Sequence, residues 1–125
     1  MNPFALIIED DAKISTIFAQ ALKTVEYETE IVQDGQLAMQ RLAETTPHVV
    51  VLDLHLPNVP GPEILHQIRS DERFAETRVM VVTADSALAD SLQDEADLIL
   101  LKPISFNQLR DLAARLRPPD TLDLE

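Results

Sequence analysis

Acidic side chains stand where two apolar runs stop. Glu9, Asp10 and Asp11 follow FALII, and Asp53 follows HVVVL. Two further runs end on other chemistry: RVMVV leads into Thr83 and Ala84, and LILL leads into Lys102 and Pro103. Carboxylates brought together repel, and their pKa values rise unless something neutralises them. A hard divalent cation does so well. Magnesium takes oxygen ligands in an octahedron at roughly 2.0–2.1 Å and keeps several waters, so one or two carboxylates and a backbone carbonyl suit it. A lysine adds a fixed positive charge and a threonine hydroxyl adds a donor. Such a set suits a dianionic group, with a carboxylate beside it as nucleophile. Aspartyl phosphate chemistry uses all of these parts, because cation, lysine and threonine offset charge on a transferring phosphoryl group.

These residues act together only if the fold brings them to one place. The apolar runs at residues 4–8, 48–54, 78–84 and 98–101 read as strands buried on both faces. TEIVQ, residues 29–33, reads as a shorter and more polar strand, which predicts an edge position. Between the runs, apolar residues recur at helical spacing. Ile14, Ile17, Phe18, Ala21, Leu22 and Val25 form one stripe, and Phe106, Leu109, Leu112 and Leu116 form another. Helices are also predicted over residues 36–44, around Ile64, Leu65 and Ile68 with Pro62 in the first turn, and over residues 86–93. The resulting strand–helix alternation implies an α/β fold, a doubly wound five-stranded parallel sheet with helices on both faces. In such sheets ligands bind at the carboxyl ends of the strands. All the residues named above follow the ends of strands, so they share that edge.

Composition narrows the function further. Ten basic residues face 22 acidic ones, a formal net charge of −12, which argues against a nucleic-acid surface. There is no cysteine, and hence no thiolate metal site, disulfide or cysteine nucleophile. The apolar stretch from Phe4 to Ile8 is too short for a signal-peptide core or a membrane span, and the expected address is cytoplasmic. Residues 1–117 form one expected domain. The acidic, proline-broken residues 118–125 read as a tail or linker remnant.

The blocks LIIEDD, VVVLDLHLPNVPG, VVTA and LLKP, in this order and spacing, resemble the receiver domain of two-component response regulators over essentially the whole chain. The resemblance implies a flavodoxin-like sheet of order 2-1-3-4-5 with five helices. It implies that Asp53 is the phosphoacceptor, and that Asp10 and Asp53 bind Mg²⁺ directly, Glu9 through water and His55 by its backbone carbonyl. Thr83 and Lys102 would hold the phosphoryl oxygens beside the small Ala84, and the Lys102–Pro103 bond is often cis. A histidine kinase or histidine phosphotransfer protein would supply the phosphoryl group, and a downstream protein or output domain would read it. No nucleic acid or membrane is expected as a partner. The domain would catalyse its own phosphorylation without being a turnover enzyme. The side chains of His55 and Asp85 flank the acceptor, and both are expected to tune how long the phosphoryl group lasts.

The chain also departs from the family pattern. The aromatic residue or histidine three positions before the lysine, which turns inward on phosphorylation, is replaced by Ile99. The segment between Thr83 and Lys102 is about one helical turn short, so the fourth helix is expected to be stunted and the output surface atypical. The usual aspartate before Gly61 is Pro60. Two other functions remain open. One is a pseudo-receiver that docks partners whatever its phosphorylation state, favoured by Ile99 and the short helix. The other is a phosphohydrolase of the haloacid-dehalogenase type, disfavoured because those place their nucleophile after the first strand.

Overall fold

The computed structural model describes residues 2–118. Five strands, β1 (Phe4–Ile8), β2 (Glu28–Val32), β3 (Val49–Leu52), β4 (Arg78–Thr83) and β5 (Leu98–Leu101), pair in parallel in the order β2-β1-β3-β4-β5. They alternate with α1 (Ala12–Thr24), α2 (Gly35–Glu44), α3 (Gly61–Ser70), α4 (Ser86–Ser91) and α5 (Phe106–Leu116), and a short 3₁₀ turn (Glu72–Phe74) precedes β4. This is the doubly wound architecture that the alternation implies, in the flavodoxin-like strand order that the resemblance implies. Of the expected tail, only Pro118 lies within the described residues.

Successive residues of a strand point to opposite faces, and both faces are covered, which is why the central strands are apolar throughout. Leu6, Ile8, Val50, Leu52, Val79 and Val81 pack with α2 and α3. Ala5, Ile7, Val49, Val51, Met80 and Val82 pack with α1 and α5. The helices start on polar caps. The side chains of Asp11, Asp34, Asp85 and Ser105 accept backbone N–H groups in the first turns of α1, α2, α4 and α5. α3 instead begins behind Pro60 and carries Pro62 in its first turn.

One expectation needs correction. β5 is not buried on both faces: it forms the second edge of the sheet, and its residues are half-buried except Leu101, which is 52% exposed. The fourth helix is short, as expected, with six residues. A polar network fastens the segment that follows it. Arg69 on α3 donates to the Glu95 and Thr77 carbonyls at 2.8 and 3.0 Å and to Asp97 at 2.8 Å. Asp97 also accepts the Val79 N–H at 2.7 Å and an Arg78 N–H at 3.2 Å.

Candidate functional site

The four strand ends converge as the parallel sheet requires. Glu9 and Asp10 follow β1, Asp53 follows β3, Thr83 ends β4 and Lys102 follows β5. One carboxylate oxygen from each of Glu9, Asp10 and Asp53 lies within 4.8 Å of the others, a spacing that one cation could bridge. The cleft they form has a volume of about 540 Å³ and is also lined by Asp11, Ile14, His55, Ala84 and Lys102. Asp11 caps α1 through the Ile14 N–H, at 3.0 Å.

The electrostatics of the cleft follow from burial. Glu9 is 1% exposed, and Asp53 and Thr83 are also buried. The Lys102 ammonium sits 2.7 Å from Glu9 Oε1 and 3.7 Å from Asp53 Oδ2. Burial pushes the Glu9 carboxyl up to about 7 and the nearby Asp53 charge adds to the rise, while the Lys102 hydrogen bond opposes it. The short contact alone suggests an ionised pair, but desolvation of a nearly inaccessible carboxylate outweighs one ammonium. Burial likewise works against the charged Lys102, yet the hydrogen bond to Glu9 and the charges of Asp53, Glu9 and Asp10 hold its pKa above the ordinary lysine range. The site is thus short of positive charge. Three clustered carboxylates beside one ammonium are a donor set that suits a divalent cation.

His55 and Asp85 meet across the cleft mouth, with His55 Nε2 3.2 Å from Asp85 Oδ2. The Asp85 carboxyl is held below its usual range, first by the Leu88 N–H that it caps and also by His55. Thr83 Oγ1 accepts the Asp85 N–H at 3.1 Å, which ties the threonine to the start of α4. The Lys102–Pro103 peptide bond is cis. Ile99 pairs with Val81 across the sheet and packs, partly buried, on the core that faces α2 and α3.

Sequence reasoning missed the contacts that hold the loop after β3. The Gly35 N–H donates to the Pro57 carbonyl at 3.0 Å, and Asn58 Nδ2 donates to Asp34 Oδ2. Locally, Asp34-Gly35 reads only as a turn. Its partner lies over twenty residues away, where no local pattern announces it.

Comparison with known proteins agrees with this geometry. Residues 5–114 match the family model of the response regulator receiver domain. The transcriptional regulatory protein TrcR of Mycobacterium tuberculosis is 33% identical over 115 residues, covering 90% of this chain and 43% of its own length. The DNA-binding dual master transcriptional regulator RpaA of Synechocystis is 32% identical over 124 residues, covering 96% and 52%. The chain thus spans about half the length of these curated relatives. Among solved structures, the signal receiver domain of a putative Luxo repressor protein from Vibrio parahaemolyticus superposes with a TM-score of 0.84 at 28% identity, covering 93% of this chain and 90% of that one. The beryllofluoride-activated DrrB receiver domain gives 0.81 at 26%, covering 93% and 97%. By sequence and by fold, this chain belongs to the response regulator receiver-domain family.

Proposed function

We propose that the chain is a phosphorylatable receiver whose acceptor is Asp53. A phosphohistidine on a histidine kinase or phosphotransfer protein is the donor. An Asp53 carboxylate oxygen attacks phosphorus, the phosphorus–nitrogen bond breaks, and the departing imidazole takes up a proton. Asp10 and Asp53, with the His55 backbone carbonyl and with Glu9 through water, would hold Mg²⁺. When bound, the ion supplies positive charge that offsets the phosphoryl oxygens. Lys102 and the Thr83 hydroxyl pair with phosphoryl oxygens, and Ala84 leaves room for them. The acyl phosphate then biases an interaction surface read by a downstream protein or output domain. The domain acts as a phosphoacceptor, not as a turnover enzyme. Its expected place is the cytoplasm, and no helix among the described residues is long and apolar enough to cross a membrane.

The observation that carries this reading is the convergence of three carboxylates and Lys102 on one cleft at the carboxyl edge of the sheet. The test is to mix the protein with Mg²⁺ and acetyl phosphate, or with beryllofluoride, and to record intact mass and amide shifts. The expected result is one adduct and a shift of resonances, both absent in Asp53→Asn. An unresponsive wild-type protein would indicate a docking-only pseudo-receiver, the reading that Ile99 favours. Rapid release of phosphate with no accumulating Asp53 adduct would indicate a hydrolase.

A further inference from the structure

Both glycines of the chain lie against the loop that follows β3. At Gly61 a Cβ would stand 2.4 Å from Leu54 Cα and 2.5 Å from the Asp53 carbonyl oxygen. At Gly35 it would stand 2.0 Å from the Val59 carbonyl oxygen. The first close approach seats the end of the loop on its own start, aided by the Gly61 N–H donating to the Leu54 carbonyl at 3.0 Å. The second seats the loop's middle on the start of α2. There the Gly35 N–H reaches the Pro57 carbonyl, and Asn58 takes a left-handed φ of 72°. Asparagine tolerates that conformation better than most residues.

The Asp34 carboxylate joins the two elements. Its Oδ1 accepts the Gln36 and Leu37 N–H groups at 2.7 and 3.1 Å, which caps α2. Its Oδ2 accepts from the Asn58 side chain. α2 is itself anchored in the core through Ala38 and Leu42. The loop between Asp53 and Gly61 is therefore referenced to a fixed helix, and His55 lies on it, with its N–H 3.4 Å from Asp53 Oδ1.

We infer that Asp34 and Asn58 form a strut that positions the loop after β3 for cation binding, so that Asp34 acts on the site without touching it. The inference rests on the proposed Mg²⁺-dependent reading. Groups that hold metal ligands in place typically change metal affinity about 10–100-fold when removed.

The test turns on a sign. Asn58→Asp keeps a residue that tolerates positive φ, adds a negative charge near the site and sets two carboxylates against each other. Long-range attraction alone predicts tighter Mg²⁺ binding, whereas a strut predicts weaker binding, by about tenfold. The double variant Asp34→Asn with Asn58→Asp reverses donor and acceptor, keeps the cap oxygen and restores the net charge. It should return Mg²⁺ affinity to within about twofold of wild type, a loss too small to count against the roughly tenfold effect. Calorimetric or amide-shift titration with Mg²⁺ reads the affinity, and urea unfolding reads stability separately. Asn58→Gly still allows the left-handed backbone and removes the whole side chain, the donating amide included. It should weaken Mg²⁺ like Asn58→Asp, and it serves if the latter does not fold. Unchanged or tighter Mg²⁺ binding in the folded single variants overturns the inference, as does a double variant as weak as Asn58→Asp. A wild-type protein that binds no Mg²⁺ overturns the functional reading and the strut with it.

Discussion

Glu9 gives the most direct handle on the charge balance of the cleft. Its carboxyl moves from an ordinary 4.5 to about 7 because it is buried. A carboxyl whose pKa is raised on folding binds a proton more tightly in the native state. Its contribution to stability is therefore complete below about pH 4.5 and is lost as pH rises through about 7. The full displacement corresponds to about 3 kcal/mol against the ionised form, of which about 2 kcal/mol is lost between pH 5.5 and 8.5. Glu9→Gln keeps the shape and cannot ionise. Without divalent cations, urea unfolding of wild type and variant across that range should give a stability difference that shifts by about 2 kcal/mol in favour of the variant at the alkaline end. Carboxyls and histidines that titrate alike in both proteins cancel in the difference. Mg²⁺ reverses the balance, since it needs the ionised carboxylate: wild-type affinity should climb up to about tenfold per pH unit below 7 and flatten above, while the variant's stays nearly level. Parallel stability profiles for the two proteins would refute the reasoning, because Glu9 would then be ionised throughout and Lys102, not burial, would set its charge.

Other expectations follow from single contacts. His55→Ala or Asp85→Ala removes the 3.2 Å bridge across the cleft mouth. Either should speed phosphate loss from phosphorylated protein by about fivefold, the rate equivalent of one ordinary hydrogen bond; unchanged half-lives would remove both residues from lifetime control. Asp97→Ala strands the Val79 N–H and one Arg69 contact. It should cost about 1–3 kcal/mol in urea unfolding, and a loss below about 0.5 kcal/mol would show that water replaces the carboxylate.

The sequence made the site legible because each of its residues comes just after an apolar run or at its end, and a parallel sheet gathers those ends. Glu9, Asp10, Asp53, Thr83 and Lys102 could be grouped before any coordinate was known. Strand position was harder to read. β2 declares itself an edge by Glu28 and Glu30, but β5 consists of Leu98, Ile99, Leu100 and Leu101 and looks like a central strand. Its residues are at most half-buried because it is the second edge of the sheet, a property of the strand order and not of the strand's own sequence. The Asp34–Asn58 and Arg69–Asp97 contacts were invisible for a related reason. Each joins residues more than twenty positions apart, and polar side chains carry no periodicity that marks a distant partner.

The same geometry bears on how a change at Asp53 could reach the surface. Ile99 has no hydroxyl or ring to follow Thr83, and it is already packed against the core beside Val81. Thr83 nevertheless has a direct polar link: its Oγ1 accepts the N–H of Asp85, and Asp85 both caps α4 at Leu88 and meets His55. A displacement of that hydroxyl would act on the first turn of a six-residue helix whose apolar hold is Ala89 and the partly buried Leu88, with Leu92 just beyond its end. Isolated helices of that length are not stable in water, so α4 depends on its cap and on these few contacts. The segment beyond it is fixed differently, by Arg69 and Asp97 to α3 and β4. Beside a connector fastened to α3 and β4, α4 is held by its cap, by the Thr83–Asp85 link and by these few apolar contacts. Under the proposed reading, a displaced Thr83 meets this short helix first, while the position where the family pattern has a ring holds Ile99.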